Sequence, residues 1–216
     1  MLGVMLLYVG AVLVVNGLWL IGQARAAALV PAAPAAAVEG APAAAVEGES
    51  AAARRPEPAA ADPTLMQGRE VAVLNIFTGF VGVAVATTAV VQGNNKGDLA
   101  SIRLGGFVLL FAFTYLWVAY NQYVNADGKA FGWYCLFVAI TAIAAGVYTF
   151  RDAAGNTAAI WLGIDWFAWA VLWFLFFVLL ALQRPIARPT GLVAIAEGIA
   201  TAWVFGFLLL QGTVEF

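Results

Sequence analysis

The chain has 216 residues, of which 64% are hydrophobic and 10% charged, and its net charge is −2. With a mean hydropathy of +0.92, this composition excludes an ordinary soluble domain, and so small a charge gives no footing for nucleic acid. Histidine is absent and Cys135 is the single cysteine, which removes the commonest metal ligand, the usual proton switch near neutral pH and any intrachain disulfide.

Apolar runs of about 20 residues match the ~30 Å hydrocarbon core of a bilayer at 1.5 Å per residue. Six can be read, at approximately 2–22, 70–92, 104–123, 131–150, 159–182 and 191–211. The first ends near Ala24-Arg25-Ala26, which has the look of a secretory cleavage site. No positive charge precedes it and it exceeds a signal peptide's apolar region, so it is read as a retained span.

Residues 24–66 form a low-complexity insert in which Pro34–Gly40 recurs as Pro42–Gly48. Made almost wholly of Ala, Pro, Gly, Val and Glu, the insert has too little apolar surface to offset its ordering entropy, and a disordered tether is expected. The second span carries small residues suited to close helix approach and a polar Asn75. The third holds Phe111 and Tyr115, and the fourth opens on Trp133-Tyr134, placed at a headgroup boundary. Cys135 is read as core packing. Later links are short, so consecutive helices are antiparallel in a compact bundle.

The fifth span contains Asp165-Trp166-Phe167-Ala168-Trp169-Ala170-Val171-Leu172-Trp173. At about 100° per residue its three indoles fall within roughly 60° of one another. Trp161 suits an interfacial belt, but Trp173 is about 18 Å deeper and a belt does not explain it. Asp165 shares the Trp169 direction nearer the outer mouth, where it either meets solute or merely starts a wet helix turn. The sixth span buries one carboxylate, Glu197, in an apolar run. A carboxyl at that depth faces a cavity or a partner, the alternative being a pin between helices.

Counted along their helices, Trp173 and Glu197 come to one level roughly 21 Å from the outer end, with Asn75 and Asn16 near it and Tyr115 near mid-membrane. Indoles, a phenol and amides cannot replace an ion's hydration shell. They suit a small, neutral, planar solute such as urea or a short aliphatic amide, selected through an unrepaid dehydration cost.

Lys and Arg in the links set the orientation. Arg25, Arg54, Arg55, Arg69, Lys129, Arg184 and Arg188 lie on one side, with Lys96, Arg103 and Arg151 on the other. The first set is assigned to the cytoplasm and both termini to the outside.

Several of these segments resemble the AmiS/UreI family of bacterial inner-membrane channels for urea and short-chain amides. The resemblance is carried by Met1-Leu2-Gly3, Leu6-Leu7-Tyr8-Val9-Gly10 and Asn16-Gly17; by Phe113-Thr114-Tyr115-Leu116; by Trp133-Tyr134 with Leu136–Ile140; by Trp166, Trp169 and Trp173; and by Ala194–Ile199 with Thr201-Ala202-Trp203. It implies an all-α membrane protein of six helices, arranged as three hairpins around a pore in each protomer, in a ring-shaped homo-hexamer. It also implies constrictions lined by Tyr115, Trp169, Trp173 and Glu197. The full candidate lining adds Trp166, Phe111, Asn16, Asn75, Tyr8 and Asp165. Acid-gated members carry a histidine-bearing loop between the second and third spans. Here that link, Gly93–Ala100, is short and has none.

The expectation is one channel domain over 1–216, interrupted by the insert, that moves urea, acetamide or formamide passively. It has lipid around it and needs no metal or cofactor. A proton-coupled transporter using Glu197 is the alternative. An intramembrane enzyme is disfavoured because histidine is missing from any nucleophile–base pair or metal cluster.

Overall fold

The computed structural model describes residues 1–29 and 62–216, and all its regular structure is helical. Six helices are long and apolar enough to cross a bilayer: α1 (Leu2–Leu29), α2 (Gly68–Lys96), α3 (Leu99–Val124), α4 (Lys129–Asp152), α5 (Thr157–Ala181) and α6 (Ala187–Leu210). They run beyond the apolar spans because turn and cap residues, not the last hydrophobic position, end a helix. Asp98 caps α3 by accepting from the Ala100 amide at 3.0 Å, and Asn156 caps α5 by accepting from the Ala159 amide at 2.8 Å. Gly97, at φ 66°, takes the left-handed turn that closes α2.

The helices form three tightly packed antiparallel pairs. The hairpins α2–α3 and α4–α5 are two of them. The third joins the first helix to the last, which closes the bundle into a ring. Phe77, Phe80, Ile140 and Phe207 lie exposed on the outside, as lipid-facing positions should be. This is a multi-pass membrane protein, an all-α bundle of six spanning helices.

Glycines set the α1–α6 contact. Gly3, Gly10 and Gly17 face Gly206, Gly198 and Gly191, so closely that a methyl built on Gly10 would sit 2.8 Å from the Trp203 backbone nitrogen. On Gly17 it would sit 2.5 Å from the Gly191 carbonyl oxygen. The α1 glycines are seven residues apart throughout; those of α6 are seven and then eight apart. Between Gly198 and Gly206 the helix winds as a π-helix over Gly198–Val204. A π turn takes up more residues than an α turn, so it absorbs the extra residue and returns Gly206 to the seam. A second π turn, Phe177–Ala181, ends α5.

Residues 24–29, expected in the insert, instead continue α1. The last residues of the insert return to the same helix: Arg25 pairs with Asp62 at 3.3 Å, and Thr64 packs on Gly22. Most of the expected tether lies outside the described residues. Trp161, expected at the membrane boundary, stacks on Phe205 at 5.1 Å because α5 and α6 converge there. Cys135 is buried, as expected of packing.

Gly10→Ala should overpack the seam and destabilise the protein by about 1–3 kcal/mol. Gly106→Ala, where nothing lies within 4 Å, should not. Thermal unfolding of purified protein in detergent, followed by size exclusion, compares them.

Candidate pore

Two cavities lie end to end along α1, α3 and α5. The first is a slot of about 40 Å³, between residues 2–13 of α1, 104–115 of α3 and 162–173 of α5. The second is a vestibule of about 270 Å³, bordered by Asn16 to Leu20, Val118 to Gly128, and Phe131, Phe176 and Leu180. A cavity needs roughly 10–15 Å³ to hold a water, so the slot has room for water, whereas the vestibule is several times larger.

Trp166, Trp169 and Trp173 all face the slot and are buried. Opposite them, Phe111 of α3 stacks on Trp166 at 5.4 Å and on Trp173 at 5.7 Å, and meets Trp169 edge-on at 5.4 Å. Trp166 and Trp169 are themselves edge-to-face at 5.2 Å. Each such pair adds about 0.5–1.5 kcal/mol beyond burial, so the rings hold one another and the slot wall is stiff. Tyr115, 3% exposed, completes it. On the α1 side Met5, Val9 and Leu13 supply a hydrocarbon wall. None of the described residues lining the slot carries a charge.

The indole nitrogens differ. Trp169 Nε1 donates to Thr201 Oγ1 at 2.9 Å, and Thr201 Oγ1 donates to the Glu197 carbonyl oxygen at 2.7 Å. Trp169 is thereby tied to the π segment of α6 and offers the slot only its ring. Trp173 Nε1 has no partner. Thr201 belongs to a segment that carries the family resemblance, but its anchoring role had no signal in the sequence, since a Thr four residues after a buried Glu is common in any helix.

Glu197 lies behind the aromatic wall, 9% exposed, with Oε2 unpartnered. It is within electrostatic range of Tyr115 and of Asp165. Asp165 is 1% exposed and both of its carboxyl oxygens lack a partner. The reading of Asp165 as a wet helix start is therefore corrected: α5 begins eight residues earlier, at Thr157, and packing covers the carboxyl.

Two further expectations are corrected. Tyr8 lies on the outer surface of the bundle, 41% exposed, because it shares neither the slot face of Met5 and Val9 nor the seam of Gly3 and Gly10. Its backbone carbonyl instead accepts from Thr78 Oγ1 at 3.4 Å. Asn75 is fully buried and lines neither cavity. It donates to Asn16 Oδ1 at 2.8 Å and to the Val71 carbonyl at 2.9 Å, and accepts from Asn16 Nδ2 at 3.1 Å. It is a clamp between α1 and α2, with no capacity left for solute. Asn16 keeps a place on the vestibule wall. The vestibule also takes in Trp19 of α1, and Asn121 and Gln122, the last two unforeseen because they sit near the end of α3, where polar residues are usual.

A ring of spanning helices enclosing two cavities in line defines a membrane transport protein. The chain belongs to the AmiS/UreI family of transporters, whose sequence model matches residues 1–39 and 64–213. It is 36% identical over 214 residues to a putative amidate substrates transporter of Mycolicibacterium smegmatis, covering 99% of this chain and 78% of that one. It is 34% identical over 168 residues to the acid-activated urea channel of Helicobacter pylori, covering 68% and 86%. The crystal structure of the urea channel from Helicobacter pylori superposes over the whole of both chains with a TM-score of 0.71 at 27% identity. A cryo-electron microscopy structure of that channel in a closed state gives 0.71 at 28%.

Removing either half of the Asn16–Asn75 pair leaves a buried amide unpaired. Asn16→Leu and Asn75→Leu should each destabilise the protein by about 1–3 kcal/mol, and the double variant by less than their sum. A double-mutant cycle on thermal unfolding checks this; additive effects would mean the pair is no clamp.

Proposed function

We propose that this protein is a passive channel for small neutral amides, among them urea, acetamide and formamide. The observation that carries this reading is the slot: rings, one phenol and hydrocarbon, with no charge among its described lining residues. An ion entering it would lose hydration with nothing to replace it. A flat, uncharged amide loses less and can lie against the rings. The relatives' names, an amidate transporter and a urea channel, support the same class. The chain contains no histidine, so any acid gating here would have to work without imidazole.

The reading includes the filter residues Trp166, Trp169, Trp173, Tyr115 and Phe111, with Glu197 orienting amide N–H groups from behind. It places one channel domain, with its insert on the cytoplasmic side, in the inner membrane with both termini outside. A hexameric ring is the assembly expected from the family resemblance. The unpartnered carboxyls of Glu197 and Asp165 favour a second reading, in which a proton is carried with the solute.

Stopped-flow permeabilities of proteoliposomes for urea, formamide, acetamide and propionamide test the channel. Flux should be passive, with no accumulation on an imposed pH gradient; concentrative uptake would replace the channel with the coupled transporter. Trp173→Ala should widen the slot and raise the propionamide-to-acetamide ratio by about tenfold, the scale of one methylene in a fitted pocket. Glu197→Gln should lower amide flux by about two- to tenfold, the scale of one hydrogen bond. Unchanged flux and selectivity in both variants would sink the assigned filter.

A further inference from the structure

The vestibule contains more hydrogen-bonding chemistry than a water-filled mouth requires. The side-chain amides of Asn121 and Gln122 border it, and neither hydrogen-bonds to another described residue. Gly68, at the start of α2, leaves the space that Gln122 occupies. One turn along α1 from Asn16, Trp19 also borders the cavity, with its Nε1 buried and unpartnered. The rim carboxylate Asp127 is engaged by Lys129 at 3.0 Å. That ammonium and the Lys129 amide hold its carboxyl below the usual carboxylate range, so it stays charged at neutral pH.

The same wall shows how these groups recognise a partner. Asn16 and Asn75 form a reciprocal pair, each NH2 donating to the other's carbonyl oxygen. A primary carboxamide in the vestibule could pair with Asn121 in that way. An alcohol or ketone of equal size cannot form that reciprocal pair. A carboxylate has no N–H to give.

We propose that the vestibule contains a docking subsite for a neutral primary carboxamide, formed by Asn121 and Gln122. It rests on the amide reading above for the solute that passes. The vestibule is several times larger than the slot, so a bulky amide should bind there without passing.

The test uses the purified full chain with pivalamide, whose tert-butyl group is too wide for the slot, and with pinacolone, the same shape with methyl in place of NH2. In saturation-transfer NMR, pivalamide should bind about tenfold more tightly than pinacolone, the scale of one to two hydrogen bonds, and acetamide should displace it. Asn121→Leu and Gln122→Leu should each weaken pivalamide binding several-fold. Asn121→Asp, which keeps the side chain's shape and removes its NH2 donor, should do so even if a leucine variant fails to fold. Pivalamide should also inhibit acetamide flux into proteoliposomes where pinacolone does not. Equal binding of the two probes, or pivalamide binding undiminished in the folded variants, would overturn the subsite. Pivalamide binding without any amide flux would overturn the channel reading and leave the subsite standing. Amide flux without any preference between the probes would do the reverse.

Discussion

The architecture depends on how closely α1 and α6 approach. These are the two ends of the chain, and no short link holds them together. Gly3, Gly10 and Gly17 against Gly206, Gly198 and Gly191 let the two backbones come within contact distance. In a bilayer the association must come from such packing, because lipid tails provide no hydrophobic driving force between helices. The ring closes at this seam, and the slot is the space the closed ring leaves beside α3 and α5.

The π-helix of α6 links that seam to the pore. One extra residue between Gly198 and Gly206 would carry Gly206 off the seam in a regular α-helix, by the rotation of a single residue. Winding Gly198–Val204 as a π-helix cancels that rotation. The same segment carries Thr201, which anchors the Trp169 indole, and it begins directly after Glu197. Helix closure and the rigidity of the slot wall thus share one irregular stretch of backbone.

Within the cavities, polar capacity is distributed unevenly. Asn75 and Trp169 spend theirs on neighbouring helices. Trp173 and Trp19 retain unpartnered N–H groups, and Glu197 an unpartnered oxygen. The slot is consequently a stiff passage with few hydrogen-bonding points, next to a vestibule that has many. Under the proposed reading, such an order favours a solute able to exchange water for amide contacts first, and only then to enter the dehydrated section.

Much of this protein is written in local sequence. Apolar runs of membrane length define the six helices, because a bilayer leaves a backbone segment no other way to satisfy its hydrogen bonds. The period of the helix places Trp166, Trp169 and Trp173 on one stripe, and a lone Glu197 in hydrocarbon marks a polar interior. Tertiary structure decided what each polar atom does. Helical periodicity assigns a face but not the neighbour opposite it, so only packing could turn Asn75 into a clamp, move Tyr8 to the outside and bury Asp165. The pairing of first helix with last, and the π turn that keeps it in register, depend on contacts between residues almost the whole chain apart, which no local pattern encodes.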